Sequence, residues 1–446
     1  MTGSRIVPLV IKKAGDLSLF SINNQISPLA NIPYEAQLKQ KQRFVKTVLR
    51  KIASQLRKLG AEFDEEVERG LPCRLSPIVA CEEYEAYRNK DEFSIWPGKD
   101  GYSKVVGFLS GSLRDPNTFC VPADEVFLSK ESHKIAARSF QDYISNVSPY
   151  GICTHFDRPE GNWRRLIVRS NRLNQLMMIA VFHPKEVTFA EIVEEKERLV
   201  AFFEPKKSDL GIISLYFQAC RKVRCGRLDA PYHLLLGQKH LTETLNDVTF
   251  SISPDSFFQV NTSGAESLGK IVLEGLNLNK NTILLDLFCG IGSFSLQAAK
   301  KVAKVYSIEE SYQAVEDANL NASNNNIHNC LFVHGKTEKK LLEVINEIGD
   351  RQTSVILNPP RGGVSSYVVD ILRQNPRIKE IAYISCNPAG DASDNLIRLC
   401  RPFEPGLEIL GQNFKLREAI PLDLFPQTNH CELIFLLDRN EGELFF

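Results

Sequence analysis

The chain has 446 residues, 54 basic and 54 acidic side chains, and a formal net charge of zero. Its 43% hydrophobic share excludes wholesale disorder, and no apolar run approaches the ~20 residues of a membrane span. Balanced charge excludes the strongly basic signature of a nucleic-acid-coating protein but leaves room for a local basic face.

This length accommodates two or three domains. Residues 1–30 read as an N-terminal tail. Arg5, Lys12 and Lys13 precede the first acid, Asp16, a composition shared by mitochondrial transit segments and by weakly charged tails. Residues 31–70 centre on an amphipathic helix predicted over 35–59. Leu38, Val45, Val48, Leu49, Ile52, Leu56 and Leu59 recur at helical spacing, and Lys39, Lys41, Arg43, Lys46, Arg50, Lys51, Arg57 and Lys58 crowd the remainder. Two readings stand: a solvated surface helix, or a face laid along a phosphate backbone. Gly60 ends it.

Residues 71–250 read as an α+β RNA-binding region. Short β-rich runs at 104–109, 166–169 and 177–182 are separated by Gly, Asp, Pro and Asn. Two stretches suit nucleic acid by stacking and phosphate pairing: Tyr87-Arg88-Asn89-Lys90 and Trp163-Arg164-Arg165. Either is also compatible with an ordinary strand end.

From 251 to 446 the rhythm becomes strand, turn, helix. Apolar runs at 283–287, 302–308, 331–334, 355–357 and 381–385 alternate with helical stretches such as 294–300 and 311–324. This predicts a doubly wound, Rossmann-like α/β domain. The run Ile283–Leu287 enters Phe288-Cys289-Gly290-Ile291-Gly292-Ser293, a tight turn that brings backbone N–H groups close to a ligand. Ser295 stands where a dinucleotide fingerprint has its third glycine. Asp286 closes the first strand and Glu309 the second, where a carboxylate can accept both ribose hydroxyls of an adenosine. The combination resembles the cofactor turn of S-adenosylmethionine-dependent methyltransferases, with a different nucleotide-binding α/β domain as the alternative.

The fourth run ends in Asn358-Pro359-Pro360-Arg361. An aromatic residue after the prolines would suit amino-group methylation by stacking on a base. Arg361 suits a phosphate or carbonyl oxygen instead. The fifth run leads into Ser385-Cys386-Asn387-Pro388, which puts a thiol at the ligand-binding edge of the sheet. Alone, a cysteine is more often a buried structural residue. Glu432 precedes the last predicted strand, 433–437, and its apolar neighbours predict a raised pKa suited to proton transfer. The eleven cysteines form no C-x-x-C pair, so reduced thiols and no metal site are expected.

Together these segments resemble the RNA (uracil-5-)-methyltransferase family. The matching stretches are Ser253 to Asn261, Asp286 to Ser293, Asn358 to Arg361, Ser385 to Pro388, and Asp423-Leu424-Phe425-Pro426-x-Thr428-x-His430-x-Glu432. Within the family the chain looks most like the animal mitochondrial branch, on the expectation that its length leaves no room for an added N-terminal RNA-recognition domain. The resemblance implies Cys386 as nucleophile and Glu432 as proton acceptor. It implies Gln259, Phe288, Ser293, Glu309 and Asn358 around S-adenosylmethionine, although Asn358 stands where most relatives carry Asp. It implies tRNA as substrate, at the T-loop uridine, with mitochondrial small-subunit rRNA a further expectation and mitochondria, or otherwise cytoplasm or nucleus, the compartment. Arg88, Lys90, Arg164 and Arg361 are the candidate RNA contacts. An RNA-binding, tRNA-folding chaperone with reduced or lost catalysis is the competing reading.

Overall fold

The computed structural model describes residues 26–440, apart from 64–66, 69, 113, 114, 116, 155–159, 223 and 403–410. The transit segment expected near the start therefore lies mainly outside the described residues.

Helix α1 (Tyr34–Lys58) is amphipathic as its sequence requires, and its buried stripe decides where it sits. Val45, Val48, Leu49, Ile52 and Leu56 share one core with Ile283, Leu285, Tyr306, Leu396 and Leu399 of the C-terminal sheet and its helices. The stripe also contains two polar residues, Gln37 and Lys41, both buried. The surface-helix reading thus holds for one face only. Beyond Gly60, at φ +82°, the chain forms strand β1 (Arg74–Leu75).

The central region is a seven-stranded mixed sheet ordered β4-β3-β2-β5-β6-β7-β8. Its strands are β2 (Lys90–Pro97), β3 (Lys104–Leu109), β4 (Cys120–Pro122), β5 (Trp163–Ser170), β6 (Leu176–Phe182), β7 (Ile212–Ala219) and β8 (Tyr232–Gly237). Side chains alternate across a strand. One set, including Phe93, Leu166, Val168, Met178 and Phe217, packs with helices α2 (Glu131–Asn146) and α3 (Phe189–Phe203). The opposite set, Ile167, Met177, Ile179, Val181 and Tyr216, shares a core with the hairpin β9 (Leu241–Leu245) and β10 (Val248–Ile252) and with Phe258, Leu296 and Phe332. The two regions are therefore joined through one apolar layer.

The C-terminal region supplies helices α4 (Thr262–Gly275), α5 (Ser293–Ala298), α6 (Tyr312–Asn324), α7 (Thr337–Ile348), α8 (Ser366–Gln374) and α9 (Asp391–Cys400). Its strands are β11 (Ile283–Leu287), β12 (Lys304–Glu309), β13 (Cys330–His334), β14 (Thr353–Leu357), β15 (Ile378–Ser385), β16 (Phe414–Leu422) and β17 (Glu432–Arg439). The sheet order is β1-β16-β17-β15-β14-β11-β12-β13. Strands β13, β12, β11, β14 and β15 are mutually parallel, and β17 runs antiparallel to both its neighbours. This is the Rossmann-like methyltransferase fold, and its topology has one consequence for chemistry. The carboxyl ends of β11, β12, β14 and β15 meet the start of β17 along one edge.

One thiol expectation is corrected. Cys220 and Cys225 form a disulfide, because the tight loop after β7 brings their Cα atoms to 5.8 Å. The other nine cysteines are free.

Candidate active site

The turn after β11 holds three residues in the left-handed region within five positions: Phe288 at φ +65°, Gly290 at +56° and Gly292 at +84°. A non-glycine residue there costs about 1–2 kcal/mol, so Phe288 is held by its surroundings. A Cβ on Gly290 would meet no atom within 4 Å and would project into open space, whereas one on Gly292 would press on the Phe332 ring at 3.1 Å. Asp286 braces the turn from beneath, accepting from the Ser295 amide (3.1 Å) and hydroxyl (2.5 Å). The Ser295 hydroxyl also meets Ser307 at 2.8 Å. A hydroxyl brace is thus needed where a dinucleotide fingerprint has glycine. Burial pushes the Asp286 carboxyl up to about 7, despite the Ser295 bonds that lower it. Its Oδ1 has no hydrogen-bond partner among the described residues.

Glu309, at the end of β12, accepts from the Gly290 amide at 3.0 Å and the Ser311 amide at 2.8 Å. It lies on the wall of a cleft of about 900 Å³. The same cleft is lined by Gln259, Phe288 and Asn358 of the expected cofactor set, by Arg88 and Arg361, and by Cys386 and Glu432. Ser293 lines a small adjoining cavity shared with Gln259, Phe288, Gly290 and Asn358. All five expected cofactor residues are therefore contiguous. Gln259 is held from the central region: Asn89 donates to its carbonyl at 2.8 Å and to the Thr262 hydroxyl at 2.9 Å. Asn261 caps α4 by accepting from the Gly264 amide at 2.9 Å.

The nucleophile and base candidates are brought together by strand register. Ser385 pairs with Leu433 across the antiparallel β15–β17 ladder, so Cys386 and Glu432 flank the same end of it. Glu432 is only 3% exposed, and burial alone pushes its carboxyl up to about 8. Burial also raises the Cys386 thiol, and the Glu432 carboxyl raises it further, while Arg361 pulls it back down. Two groups that act by losing and gaining protons thus share one partly dry pocket with a guanidinium beside the thiol.

The RNA candidates separate. Arg88 lines the cleft and is fixed from behind by Asp91 at 2.9 Å. Asp91 also meets His133 Nδ1, and His133 Nε2 meets the Ser170 hydroxyl, each at 2.8 Å. This Asp–His–Ser chain imitates a hydrolase triad, but all three residues are buried, and it backs Arg88 through Asp91. Burial would raise the Asp91 carboxyl, yet His133 and Arg88 hold it below the ordinary value. Lys90 pairs with Glu92 at 2.8 Å and does not line the cleft. Arg164 is buried and donates to the Lys222 carbonyl. Trp163 is fully buried, 5.3 Å edge-to-face from Phe140, so it cannot stack on a base.

Sequence reasoning missed a basic loop. Arg221, Lys222, Arg224 and Arg227 stand exposed around the Cys220–Cys225 bridge. Arg224 acts on the charges of Lys90, Glu92 and Arg165, and Arg227 acts on Asp255, a cleft-lining residue. Four cations within seven residues are visible in the sequence; what was invisible is the fold that sets them beside the cleft.

A family profile described as tRNA (Uracil-5-)-methyltransferase matches residues 226–440. The mouse (Mus musculus) tRNA (uracil-5-)-methyltransferase homolog B is 37% identical over 421 residues, covering 93% of this chain and 85% of the relative. The mouse homolog A is 33% identical over 434 residues, covering 95% of this chain and 69% of the relative. A solved structure of the Pyrococcus abyssi tRNA (uracil-54, C5)-methyltransferase with S-adenosyl-L-homocysteine has a TM-score of 0.65 at 22% identity, covering 92% of this chain and 84% of that one.

Proposed function

From the premise that this chain belongs to the tRNA (uracil-5-)-methyltransferase family of S-adenosylmethionine-dependent enzymes, we propose that it methylates C5 of a T-loop uridine in tRNA through Cys386 and Glu432. The carrying observation is that strand register brings a thiol and a desolvated carboxyl to one end of the β15–β17 ladder, inside the cleft walled by the glycine turn.

The residues present fit the cofactor. Gly290 leaves space where a side chain would intrude, and Glu309 ends β12 at the cleft wall, at the position suited to ribose hydroxyls. Gln259, Phe288, Ser293, Glu309 and Asn358 would hold it, and when bound it supplies an electrophilic methyl group. Asn358 can accept a hydrogen bond but brings no charge.

Uracil C5 is a weak nucleophile. Addition of the Cys386 thiolate to C6 makes C5 an enolate carbon able to take the methyl group. Arg361, which lowers the thiol's pKa, favours that thiolate. Glu432 then removes the C5 proton, the C5–H electron pair re-forms the C5–C6 double bond, and the thiolate leaves. The target base has to be flipped out of its stack to reach the thiol. Arg88, Arg361 and the 221–227 loop are the proposed phosphate contacts. Mitochondrial residence and action on small-subunit rRNA are proposed on the N-terminal composition and the family branch. Fractionation of cells expressing the full chain, and nucleoside mapping of that rRNA, test them.

The decisive experiment uses a T-loop transcript carrying 5-fluorouridine, with S-adenosylmethionine. Fluorine at C5 cannot leave as a proton, so the thiol adduct is trapped. A denaturation-resistant protein–RNA band is expected with wild type and not with Cys386→Ala. No band from wild type, with RNA binding intact, would favour the folding-chaperone reading.

A further inference from the structure

Glu432 is the first residue of β17, and the segment before it, 423–431, has no regular structure to hold it. Phe425, Thr428 and His430 of this segment line the cleft beside the base. Its backbone could wander, yet it is fastened at several points, and four of these bonds come from helix α1, some 390 residues away in the chain.

Lys41 donates to the Asp423 carboxylate at 2.5 Å and to the Phe425 carbonyl at 3.0 Å. One turn earlier, Gln37 pairs twice with Gln427. Its amide donates to the Gln427 side-chain oxygen at 2.8 Å, and its oxygen accepts from the Gln427 backbone amide at 3.0 Å. Gln427 sits at φ +66°, a conformation that costs free energy and needs such an anchor. The Leu29 amide adds a bond to the Gln427 carbonyl at 3.0 Å. Tyr87 donates to the Pro426 carbonyl at 3.1 Å, which ties in the motif that carries Arg88.

Docking of α1 does not require this arrangement, because its apolar stripe already buries five large aliphatic residues. A buried ion pair is a poor source of stability compared with an apolar pair of equal volume. What it supplies is direction: a bidentate amide pair and a charged bond define the path of a loop in a way that aliphatic contacts do not.

We propose that Gln37 and Lys41 are positioning residues for proton removal, holding segment 423–431 so that Glu432 meets C5 of the flipped uridine. The proposal rests on the uracil-methylation reading above. In that chemistry two halves are separable. The first opens the C5–C6 double bond as sulfur bonds to C6, and joins the methyl group to C5 as its bond to the donor sulfonium breaks. The second breaks the C5–H bond, passes the proton to Glu432, re-forms the C5–C6 double bond and expels the thiolate. A misplaced base slows only the second half, so the covalent protein–RNA species accumulates on ordinary uridine RNA, as it should in Glu432→Gln.

The test compares wild type, Gln37→Leu, Lys41→Met and Lys41→Met/Asp423→Leu, the last because Lys41→Met alone strands a buried carboxylate. Expected in each variant are an adduct rate on 5-fluorouridine RNA within about 2-fold of wild type, turnover on uridine RNA lowered by about 10-fold or more, and a stronger denaturation-resistant band with uridine RNA. Unchanged turnover in Gln37→Leu and in the double variant overturns the proposal. So does a fall in adduct rate that parallels the fall in turnover, which would mean a structural loss. Absence of any adduct from wild type on 5-fluorouridine RNA sinks the methylation reading itself, and the proposal with it.

Discussion

In the proposed chemistry Cys386 and Glu432 act only when ionised, and both are pushed towards their neutral forms, mainly by burial. The methylation rate should therefore climb as pH rises from 6 to 9. Adduct formation on 5-fluorouridine RNA should follow the thiol alone, while turnover follows thiol and carboxyl together. Parallel pH profiles for the two assays would contradict this division of roles. Cys386→Ala should abolish methylation with an unchanged melting temperature, since the thiol is only half-buried and belongs to none of the apolar cores. The linkage for Glu432 has a definite sign. Its folded pKa, about 8, lies above its ordinary 4.5, so its stability contribution is whole below 4.5 and is lost as pH rises to 8. The cost is at most about 1.4 kcal/mol per pH unit. Glu432→Gln should accordingly melt higher than wild type at pH 9, with the gap closing towards pH 5. At this scale the sequence was informative. Thiol, carboxyl, Glu309 and the glycine turn stand out because each is a chemical type at a strand end. Arg164 and Trp163 did not behave as their types suggest, because burial, which composition does not report, removed both from solvent.

Elements defined by a long periodic pattern were legible and those defined by pairing were not. The run 283–287 and the helix predicted over 35–59 appear as β11 and α1 with bounds shifted by a residue at most. Strand β1 has two residues and no period of its own; it exists because its backbone groups pair with Glu418 and Ala419 of β16. Pairing also governs Gly107 on β3, where a Cβ would overlap the Val121 carbonyl oxygen of β4. Gly107→Ala should therefore lower the melting temperature by several degrees, at a cost of about 2 kcal/mol or more, and leave the pH profile of turnover unchanged. Gly290→Ala should show the opposite balance. Its Cβ meets no protein atom, so the fold loses about 1 kcal/mol for the left-handed backbone. S-adenosylmethionine affinity by calorimetry should fall further, because the methyl group occupies cleft space.

Across the whole molecule, α1, the central sheet and the C-terminal sheet share cores, so the chain should unfold as one unit. The aliphatic stripe of α1 packs with the C-terminal sheet, and Ile167, Met177 and Ile179 of the central sheet pack with Phe258 and Leu296. A chain lacking residues 1–60 should aggregate or melt well below wild type, and a single calorimetric transition is expected for the full chain. Separate transitions for the central and C-terminal regions would refute the shared core. The sequence by itself determined the fold class and singled out the candidate reacting groups, since hydrophobic period and residue chemistry are local properties. Only the tertiary structure decided which of the basic residues face the cleft, that a lysine of the first helix ends on Asp423, and that Asp91, His133 and Ser170 line up behind Arg88. Those outcomes depend on contacts between residues tens to hundreds of positions apart, which arise only when packing of the apolar faces brings distant segments together.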